Sequence, residues 1–207
     1  MGRWNLAVAL MLLGAPALAA ATLEATTSDG RKVVLSADGT WKYKDARAKE
    51  KDAGEHSRPA ASTQQFQSPK HLYSLWYDPK KWTPEELTGG PAEFKLNYKG
   101  GDAYFMVIAE RISAPVGTLL DIAVKNAQGL DPDASVVLRE ERKINGVTVT
   151  AMQMQAKVKG IPFTYFGYYW AGESGMLQLI TFTSQNLAEE MLPEMTDLLN
   201  GAVITGK

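Results

Sequence analysis

A segment without large apolar side chains divides this chain and limits how it can fold. Residues 44–65 carry charges of both signs followed by Pro, Ala, Ser and Gln, and hold no large aliphatic or aromatic side chain. Such a segment cannot bury enough apolar surface to offset the entropy lost on ordering it. We therefore predict a charged, flexible linker over residues 44–66, a short β-meander over residues 20–43 and one larger domain over residues 67–207.

The first residues follow the order of features found in a cleavable secretory signal. Arg3 supplies a positive charge, residues 6–13 are apolar, and small residues lead to Ala19. This order is typical of a signal peptide, here residues 1–19. The alternative is a membrane anchor, but the apolar run is shorter than the roughly 20 residues that span a bilayer. We predict a periplasmic or secreted protein with no membrane span after signal cleavage.

The absence of cysteine restricts the chemistry available to the chain. It excludes a disulfide framework, a thiolate metal site and a lipid-modified cysteine, so an exported form must be held together by its own core. The 22 Lys and Arg residues nearly balance 23 Asp and Glu residues, which gives a net charge of −1. A balanced chain has no general attraction to nucleic acid or anionic lipid. We predict no nucleic-acid partner.

Two Asp-Gly pairs organise the region before the linker. Asp29-Gly30 and Asp38-Gly39 lie between short β-prone runs, the last of which contains Trp41 and Tyr43. Asp-Gly tolerates positive φ and favours tight hairpin turns, so we predict a three-stranded meander. The pattern DGR-x-V-x-L-x-x-DGTW-x-Y resembles a short element near the start of many exported bacterial proteins. That resemblance implies no activity.

The region after the linker has the periodicity of an α+β domain. Apolar residues with helical spacing follow Pro115 and stop near Gly129, and a second amphipathic run covers residues 186–200. We predict an α+β fold, in which an antiparallel sheet of about six strands is flanked by a mid-chain and a C-terminal helix in an α/β/α sandwich. Strands are predicted over residues 71–77, 93–98, 103–112, 136–144, 147–158, 163–170 and 176–183.

Three features of this region resemble the PsbP-like α/β/α sandwich family. They are the run Leu75-Trp-Tyr-Asp-Pro-Lys-Lys-Trp82, the hairpin Ile144-Asn-Gly-Val147 and the closing amphipathic helix. The resemblance covers about residues 70–204. It implies the sandwich fold and a role as a partner protein, since members of the family mostly act as partners and not as enzymes. Their binding residues differ from member to member, so the resemblance transfers none of them to this chain.

No arrangement of reactive residues points to an active site or a metal centre. His56 and His71 are the two histidines, and Asp131-Pro-Asp133 is typical of a turn after a helix. Gly172-Glu-Ser-Gly175 lacks the spacing of a nucleophile elbow, and Glu140-Glu141 point to opposite faces of a strand. We therefore predict no catalytic residue, no metal site and no cofactor.

The aromatic run Phe163–Trp170 is the strongest candidate for binding. Alternation along a strand places Tyr165 and Tyr169 on one face, with Gly167 between them. If helices cover both faces of the sheet, these tyrosines belong to the core. If one face is open, they form a shallow stacking surface for a sugar, a peptide or a partner's side chain. We select Tyr165 and Tyr169 as the predicted binding residues.

These observations predict an exported, non-catalytic binding or accessory protein of the bacterial envelope, with an envelope protein or a small ligand as its partner. The alternative is an envelope hydrolase whose site is built from scattered Asp, Glu and Tyr residues. That alternative requires a cleft containing a carboxylate with a shifted pKa. A third hypothesis is that the meander docks on the domain or on a cell-wall partner, with the linker as a tether.

Overall fold

A computed structural model describes residues 23–26, 32–35, 41–43 and 54–206, and the chain divides into the units Met1–Glu50 and Lys51–Lys207. In the first unit, strands β1 (Leu23–Thr26), β2 (Lys32–Leu35) and β3 (Trp41–Tyr43) form an antiparallel sheet in that order. The predicted signal peptide, both Asp-Gly turns and residues 44–53 of the predicted linker lie outside the described residues.

The second unit contains short strands at its start and long strands and two helices after them. Its strands are β4 (Glu55–His56), β5 (Gln64–Gln67), β6 (Tyr73–Tyr77), β7 (Trp82–Pro84), β8 (Phe94–Tyr98), β9 (Ala103–Glu110), β10 (Ser135–Ile144), β11 (Val147–Val158), β12 (Ile161–Gly172), β13 (Gly175–Ser184) and β14 (Ala202–Ile204). Its α-helices are α1 (Val116–Leu130) and α2 (Ala188–Asn200), and a 3₁₀ turn at Gln185–Leu187 precedes α2. None of the helices in the described part of the chain combines the length and apolar character that crossing a membrane requires.

The long strands form one mostly antiparallel sheet of eight strands in the order β4-β10-β11-β12-β13-β9-β8-β7. The predicted α+β class, the antiparallel sheet and both helices are confirmed. The sheet is larger than the predicted six strands because the short strands β4 and β7 extend its two edges. Strand β6, which we predicted as part of the main sheet, instead lies in a separate three-stranded sheet in the order β14-β6-β5.

The two faces of the large sheet bury different hydrophobic clusters. On one face, β12 and β13 pack against α2, and this cluster includes Phe105, Tyr168, Leu177 and Met195. On the other face, α1 packs mainly over β11 and β12. The second cluster contains Leu119, Leu120, Ala123, Ala127, Ala134, Met152, Met154, Ala156, Tyr169 and Met176. Because α1 lies towards one side of its face, it leaves another part of that face without a covering helix.

The predicted flexible linker, residues 44–66, overlaps regular structure, because strands β4 and β5 both begin before residue 66. Strand β4 pairs in parallel with β10, with Glu55 opposite Lys143, and β5 pairs antiparallel with β6. Ser62, between these two strands, is 6 % exposed. The prediction considered side-chain burial alone. Backbone hydrogen bonds to existing strands hold a polar segment in place without requiring large apolar side chains.

Asn145, in the hairpin between β10 and β11, forms hydrogen bonds with residues near both ends of the unit. Its side-chain Nδ2 donates to the carbonyl oxygens of Asn200, at 2.9 Å, and Ala202, at 2.7 Å. Its Oδ1 accepts a hydrogen bond from the backbone N–H of Arg58, and its own N–H donates to the carbonyl oxygen of His56. Asn145 therefore joins the start of the unit to the end of α2.

Candidate functional site

The two predicted binding tyrosines lie in different environments. Tyr169 is 1 % exposed because it is packed beneath α1, and this burial raises the pKa of its hydroxyl. Its ring lies over Gly167, where an added Cβ would be 3.1 Å from Tyr169 Cε2. Tyr165 is half-buried at the margin of the same cluster. The joint stacking surface of Tyr165 and Tyr169 does not form, and binding through Tyr165 stays a prediction.

Tyr165 belongs instead to a group of four half-buried rings, which we call the aromatic patch: Tyr104, Phe163, Tyr165 and Phe182. Strand register places Tyr104 opposite Phe182 and Phe182 opposite Tyr165. The ring centroids of Tyr104 and Phe182 are 5.2 Å apart, and those of Tyr165 and Phe182 are 5.7 Å apart. Phe163 is 6.4 Å from both Tyr165 and Phe182. These rings lie on the α1 side of the sheet.

The cross-strand neighbours of three of the rings are uncharged, and the nearest charge on this face of β8 is Lys95, opposite Met106 and paired with Glu85. The cross-strand neighbours on this face are Asn97 beside Tyr104, Met154 beside Tyr165, and Ala156 beside Phe163. Ile161 continues the patch two residues before Phe163 and is 56 % exposed. An exposed apolar area of this kind marks a surface for contact with another molecule more often than a scattered apolar residue does.

A polar network on the opposite face was not predicted. Arg142 donates to Glu140 Oε1 at 2.7 Å and to the hydroxyl of Tyr168 at 3.2 Å, and that hydroxyl donates to Asn200 Oδ1 at 2.9 Å. The side chains of Glu140 and Arg142 are each 12 % exposed. Glu140, whose position in the interior was not predicted, is therefore held in a largely buried ion pair. The network joins β10, β12 and α2, and it has the character of structural support.

A recess lies between residues 59–62, the loop before β7 and α2. It encloses about 280 Å³ of empty space, including its solvent mouth. Its lining residues are Pro59, Ala61, Ser62, Asp78, Lys81, Trp82, Glu194, Asp197 and Leu198. Lys81 Nζ donates to both carboxylate oxygens of Glu194, at 2.7 and 2.9 Å. Asp78, Lys81 and Trp82 belong to the run that carried the family resemblance, but their meeting with α2 was not predicted.

Asp197 provides this recess with a carboxylate whose pKa is shifted. Burial by neighbouring groups raises the pKa of Asp197 first, and the nearby charge of Glu194 raises it further, while Lys81 opposes both effects. The hydrolase alternative requires a carboxylate of this kind in a cleft, so it has one supporting observation. Glu194 is engaged by Lys81, so the hydrolase alternative stays a prediction.

A tyrosine and a carboxylate, Tyr73 and Glu93, lie close together in the interior. Tyr73 is fully buried, and its pKa is raised by burial and, secondarily, by Glu93. The Glu93 side chain is 9 % exposed, and its Oε2 lies 3.1 Å from Lys70 Nζ. A substrate would have little access to either group, so this pair belongs to the packing of β6 against the large sheet.

The remaining sequence candidates occupy turns and edges. Gly172–Gly175 is the β12–β13 hairpin turn, with Gly172 opposite Gly175. His71 is exposed at a turn, and His56 lies in the edge strand β4. In the described ranges, no group of three or more His, Cys, Asp or Glu side chains is arranged to hold a metal ion.

Asp131 performs the turn function that its sequence context predicted. Its Oδ2 accepts the backbone N–H of Lys157 at 2.6 Å, and its Oδ1 accepts that of Asp133 at 3.1 Å. The hydrogen bond from Lys157 is the main reason that the pKa of Asp131 is lowered, and the bond from Asp133 adds to it. The carboxylate thus links the end of α1 to the end of β11.

This geometry predicts a pH-dependent effect of Asp131→Ala. A carboxylate with a lowered pKa in the folded state stabilises that state above its unfolded pKa, and the contribution is lost as the pH falls through the folded pKa. We expect the variant to have a lower Tm than the wild type at neutral pH, and the difference to shrink from about pH 5 towards about pH 2. Thermal unfolding of both proteins across this range measures the difference. A difference in Tm that stays constant with pH would show that the ionised carboxylate of Asp131 is not the source of the stabilisation.

Comparison with solved structures places this architecture in a known class. CyanoP, the cyanobacterial PsbP of Synechocystis sp. PCC 6803, is similar with a TM-score of 0.52 and 12 % identity, over 70 % of this chain and 94 % of CyanoP. LpqN of Mycobacterium tuberculosis, described as involved in cell envelope biogenesis, is similar with a TM-score of 0.50 and 11 % identity, over 69 % of this chain and 90 % of LpqN. At these identities the likeness shows the fold alone.

The chain therefore has the PsbP-like fold that the sequence resemblance implied. No family model and no curated protein matches its sequence.

Proposed function

We propose that this chain is an exported, non-catalytic accessory protein of the bacterial envelope that binds a partner protein through the aromatic patch. The observation that carries this proposal is the group of four half-buried rings on the part of the sheet beyond α1. Export is supported by the signal-like residues 1–19. An envelope role is supported by the fold's likeness to LpqN, which is described as involved in cell envelope biogenesis.

The ring geometry favours a protein partner over a sugar. Tyr104 and Phe182 are stacked with an interplanar angle of 21°, so each covers part of the other's face. Phe163 meets Phe182 edge-on at 63°. A sugar is bound by an open aromatic face, whereas ring edges and an exposed Ile161 pack well against aliphatic side chains. The uncharged residues directly opposite the rings, Asn97, Met154 and Ala156, also favour an apolar partner surface.

The binding surface must extend beyond the four rings. A stable protein interface buries about 800 Å² on each partner, which is more than the exposed parts of four half-buried rings supply. Ile161 extends the surface on one side, and the half-buried Met106 and Ile108 of β9 continue it on the same face. We therefore place the rings at the centre of the interface, where the residues that dominate affinity are usually found.

A photo-crosslinking residue at Ile161 tests this proposal in living cells of the producing bacterium. We expect a crosslink to one partner protein from Ile161 but not from Leu130, an apolar control that is 63 % exposed at the end of α1. The crosslink should disappear when Tyr165→Ala is added. Labelling of peptidoglycan in place of a protein would overturn the choice of partner, and equal crosslinking from both positions would overturn the choice of surface.

The affinity of the purified pair provides the quantitative prediction. Tyr165→Ala should raise Kd by about 10- to 100-fold, as expected for an aromatic residue at the centre of an interface. Tyr169→Phe is the matched control, since it keeps the ring beneath α1 and should leave Kd unchanged. Thermal unfolding establishes that both variants are folded. A Tyr165→Ala variant that is folded and binds normally would remove the aromatic patch from the proposed interface.

A further inference from the structure

Two asparagines of this chain are followed directly by glycine, in the pairs Asn145-Gly146 and Asn200-Gly201. Such a pair is chemically labile in an unfolded chain, because glycine has no Cβ and its backbone nitrogen can approach the asparagine side chain closely. That nitrogen can displace the side-chain amide, which is the first step of spontaneous deamidation. The sequence therefore contains two positions where the chain can change covalently without an enzyme.

The deamidation of Asn145 needs no reactant other than water. The backbone nitrogen of Gly146 attacks Cγ of Asn145 and loses its proton, the new N–C bond forms, and the Cγ–Nδ2 bond breaks as ammonia leaves. Water then opens the cyclic imide at either of its two carbonyl groups. The product is aspartate or isoaspartate. Both products carry a carboxylate and lack the Nδ2 donor, and no group is oxidised or reduced.

In the folded unit, hydrogen bonds hold the side chain of Asn145. Its Nδ2 donates to the carbonyl oxygens of Asn200 and Ala202, at 2.9 and 2.7 Å, and its Oδ1 accepts the backbone N–H of Arg58 at 2.9 Å. Departure of Nδ2 as ammonia breaks both of its hydrogen bonds. The folded state therefore opposes the reaction by the free energy of these contacts.

Asn200 is held by different contacts at the same place. It is 7 % exposed, and its Oδ1 accepts the hydroxyl of Tyr168 at 2.9 Å. The nitrogen that would attack it, that of Gly201, donates its proton to the carbonyl oxygen of Leu198 at 3.0 Å. Because Asn145 also donates to the carbonyl oxygen of Asn200, the two labile pairs meet where the end of α2 contacts the β10–β11 hairpin.

Deamidation of Asn145 would remove the contacts that protect it. A carboxylate oxygen in the place of Nδ2 has no proton to donate, and it would face the carbonyl oxygens of Asn200 and Ala202. Two hydrogen bonds are then lost, and three oxygen acceptors lie together without a donor, which is unfavourable for partly buried groups. The product therefore favours separation of the hairpin from the end of α2.

We propose that Asn145 is a deamidation site whose reactivity is controlled by the folding of the second unit. The folded unit protects the amide. In a chain that stays unfolded, Asn145 loses ammonia, and the modified chain can no longer join the β10–β11 hairpin to the end of α2. The extent of deamidation at Asn145 therefore increases with the time that a chain spends unfolded. This site does not depend on the aromatic patch or on a partner protein.

Peptide mass spectrometry tests this site on protein incubated in native buffer and in guanidinium chloride at the same pH and temperature. We expect Asn145 to deamidate at least about 100-fold more slowly in native buffer, because a protected group reacts through a rare open state. Asn126, which is exposed on α1 and precedes Ala127, is the internal control and should react slowly in both. Equal rates at Asn145 in the two solutions would overturn its protection. A rate in denaturant no higher than that of Asn126 would overturn its reactivity.

Asn145→Asp reproduces one product and tests its effect on the fold. Aspartate tolerates the φ of 45° as asparagine does, so the substitution adds no backbone strain. We expect a lower urea midpoint than that of the wild type at neutral pH. The difference should shrink towards about pH 4, because a protonated carboxyl regains one donor. Asn126→Asp is the control and should leave the midpoint unchanged. An Asn145→Asp variant with the wild-type midpoint at neutral pH would overturn the proposed effect of deamidation.

Discussion

Gly201→Ala is expected to destabilise the second unit by about 3 kcal/mol, because overpacking against backbone cannot be relieved by a change of rotamer. Gly201 follows α2 directly, and a Cβ at this position would be 1.9 Å from the carbonyl oxygen of Trp76 and 3.0 Å from that of Leu198. The two backbones are also joined, since Trp76 N–H donates to the Gly201 carbonyl at 2.9 Å. Relieving the clash would pull β6 away from the end of α2.

Urea unfolding of the protein, followed by tryptophan fluorescence, measures this effect. Gly129→Ala is the matched control, because Gly129 lies in α1 and nothing lies within 4 Å of an added Cβ. Alanine is favoured over glycine within a helix, so this control should stabilise the protein by about 0.5–1 kcal/mol. The two variants should therefore change the unfolding midpoint in opposite directions. If Gly201→Ala has the midpoint of the wild type, the close approach of Trp76 and Gly201 is not as described.

Asn145→Ala should have the second large effect, a loss of about 3 kcal/mol in the free energy of unfolding. Three hydrogen bonds disappear, and the carbonyl oxygens of Asn200 and Ala202 lose the same donor. The backbone of Asn145 has a φ of 45°, a conformation that asparagine adopts more readily than alanine, so the substitution adds backbone strain.

Asn145→Gly is the control that separates backbone strain from the loss of hydrogen bonds. Glycine adopts the φ of 45° without steric cost, so this variant removes the three side-chain hydrogen bonds without adding strain. It should therefore retain most of the loss that Asn145→Ala causes. Hydrogen exchange adds a local test, because both variants should lower amide protection in residues 56–58 and 200–202. An Asn145→Gly variant as stable as the wild type would assign the effect to the turn backbone.

Apolar periodicity predicted the parts of this fold that are held by side-chain burial. Strands β8 to β13 and both helices were predicted because their sequences carry a clear period over many residues. Strands β4 and β7 have two and three residues, so they contain no period that could be detected. Backbone pairing with neighbouring strands creates them. For the same reason the linker was predicted to extend past residue 54.

The aromatic patch and the recess arise from contacts between separate elements, which the sequence of a single strand cannot predict. Alternation correctly placed Tyr165 and Tyr169 on the same face, but α1 decides that Tyr169 is buried while Tyr165 is half-buried. Tyr104 and Phe182 joined Tyr165 through strand order, which was not predicted. The recess joins Ser62 to Asp197 across more than half of the unit. Only the tertiary fold could reveal that these two residues line the same recess.

The pairing of β6 with β14 has a consequence for when the protein can fold. Tyr73 lies opposite Ile204 and Leu75 opposite Ala202, so an early strand of the unit needs one of the last strands to complete its sheet. Contacts between such distant residues form late and slow the folding of a domain. A chain emerging from the ribosome lacks this closing strand until residues 202–204 have emerged. The three-stranded sheet therefore closes late, and late closure suits the proposed export of this protein through a narrow membrane channel.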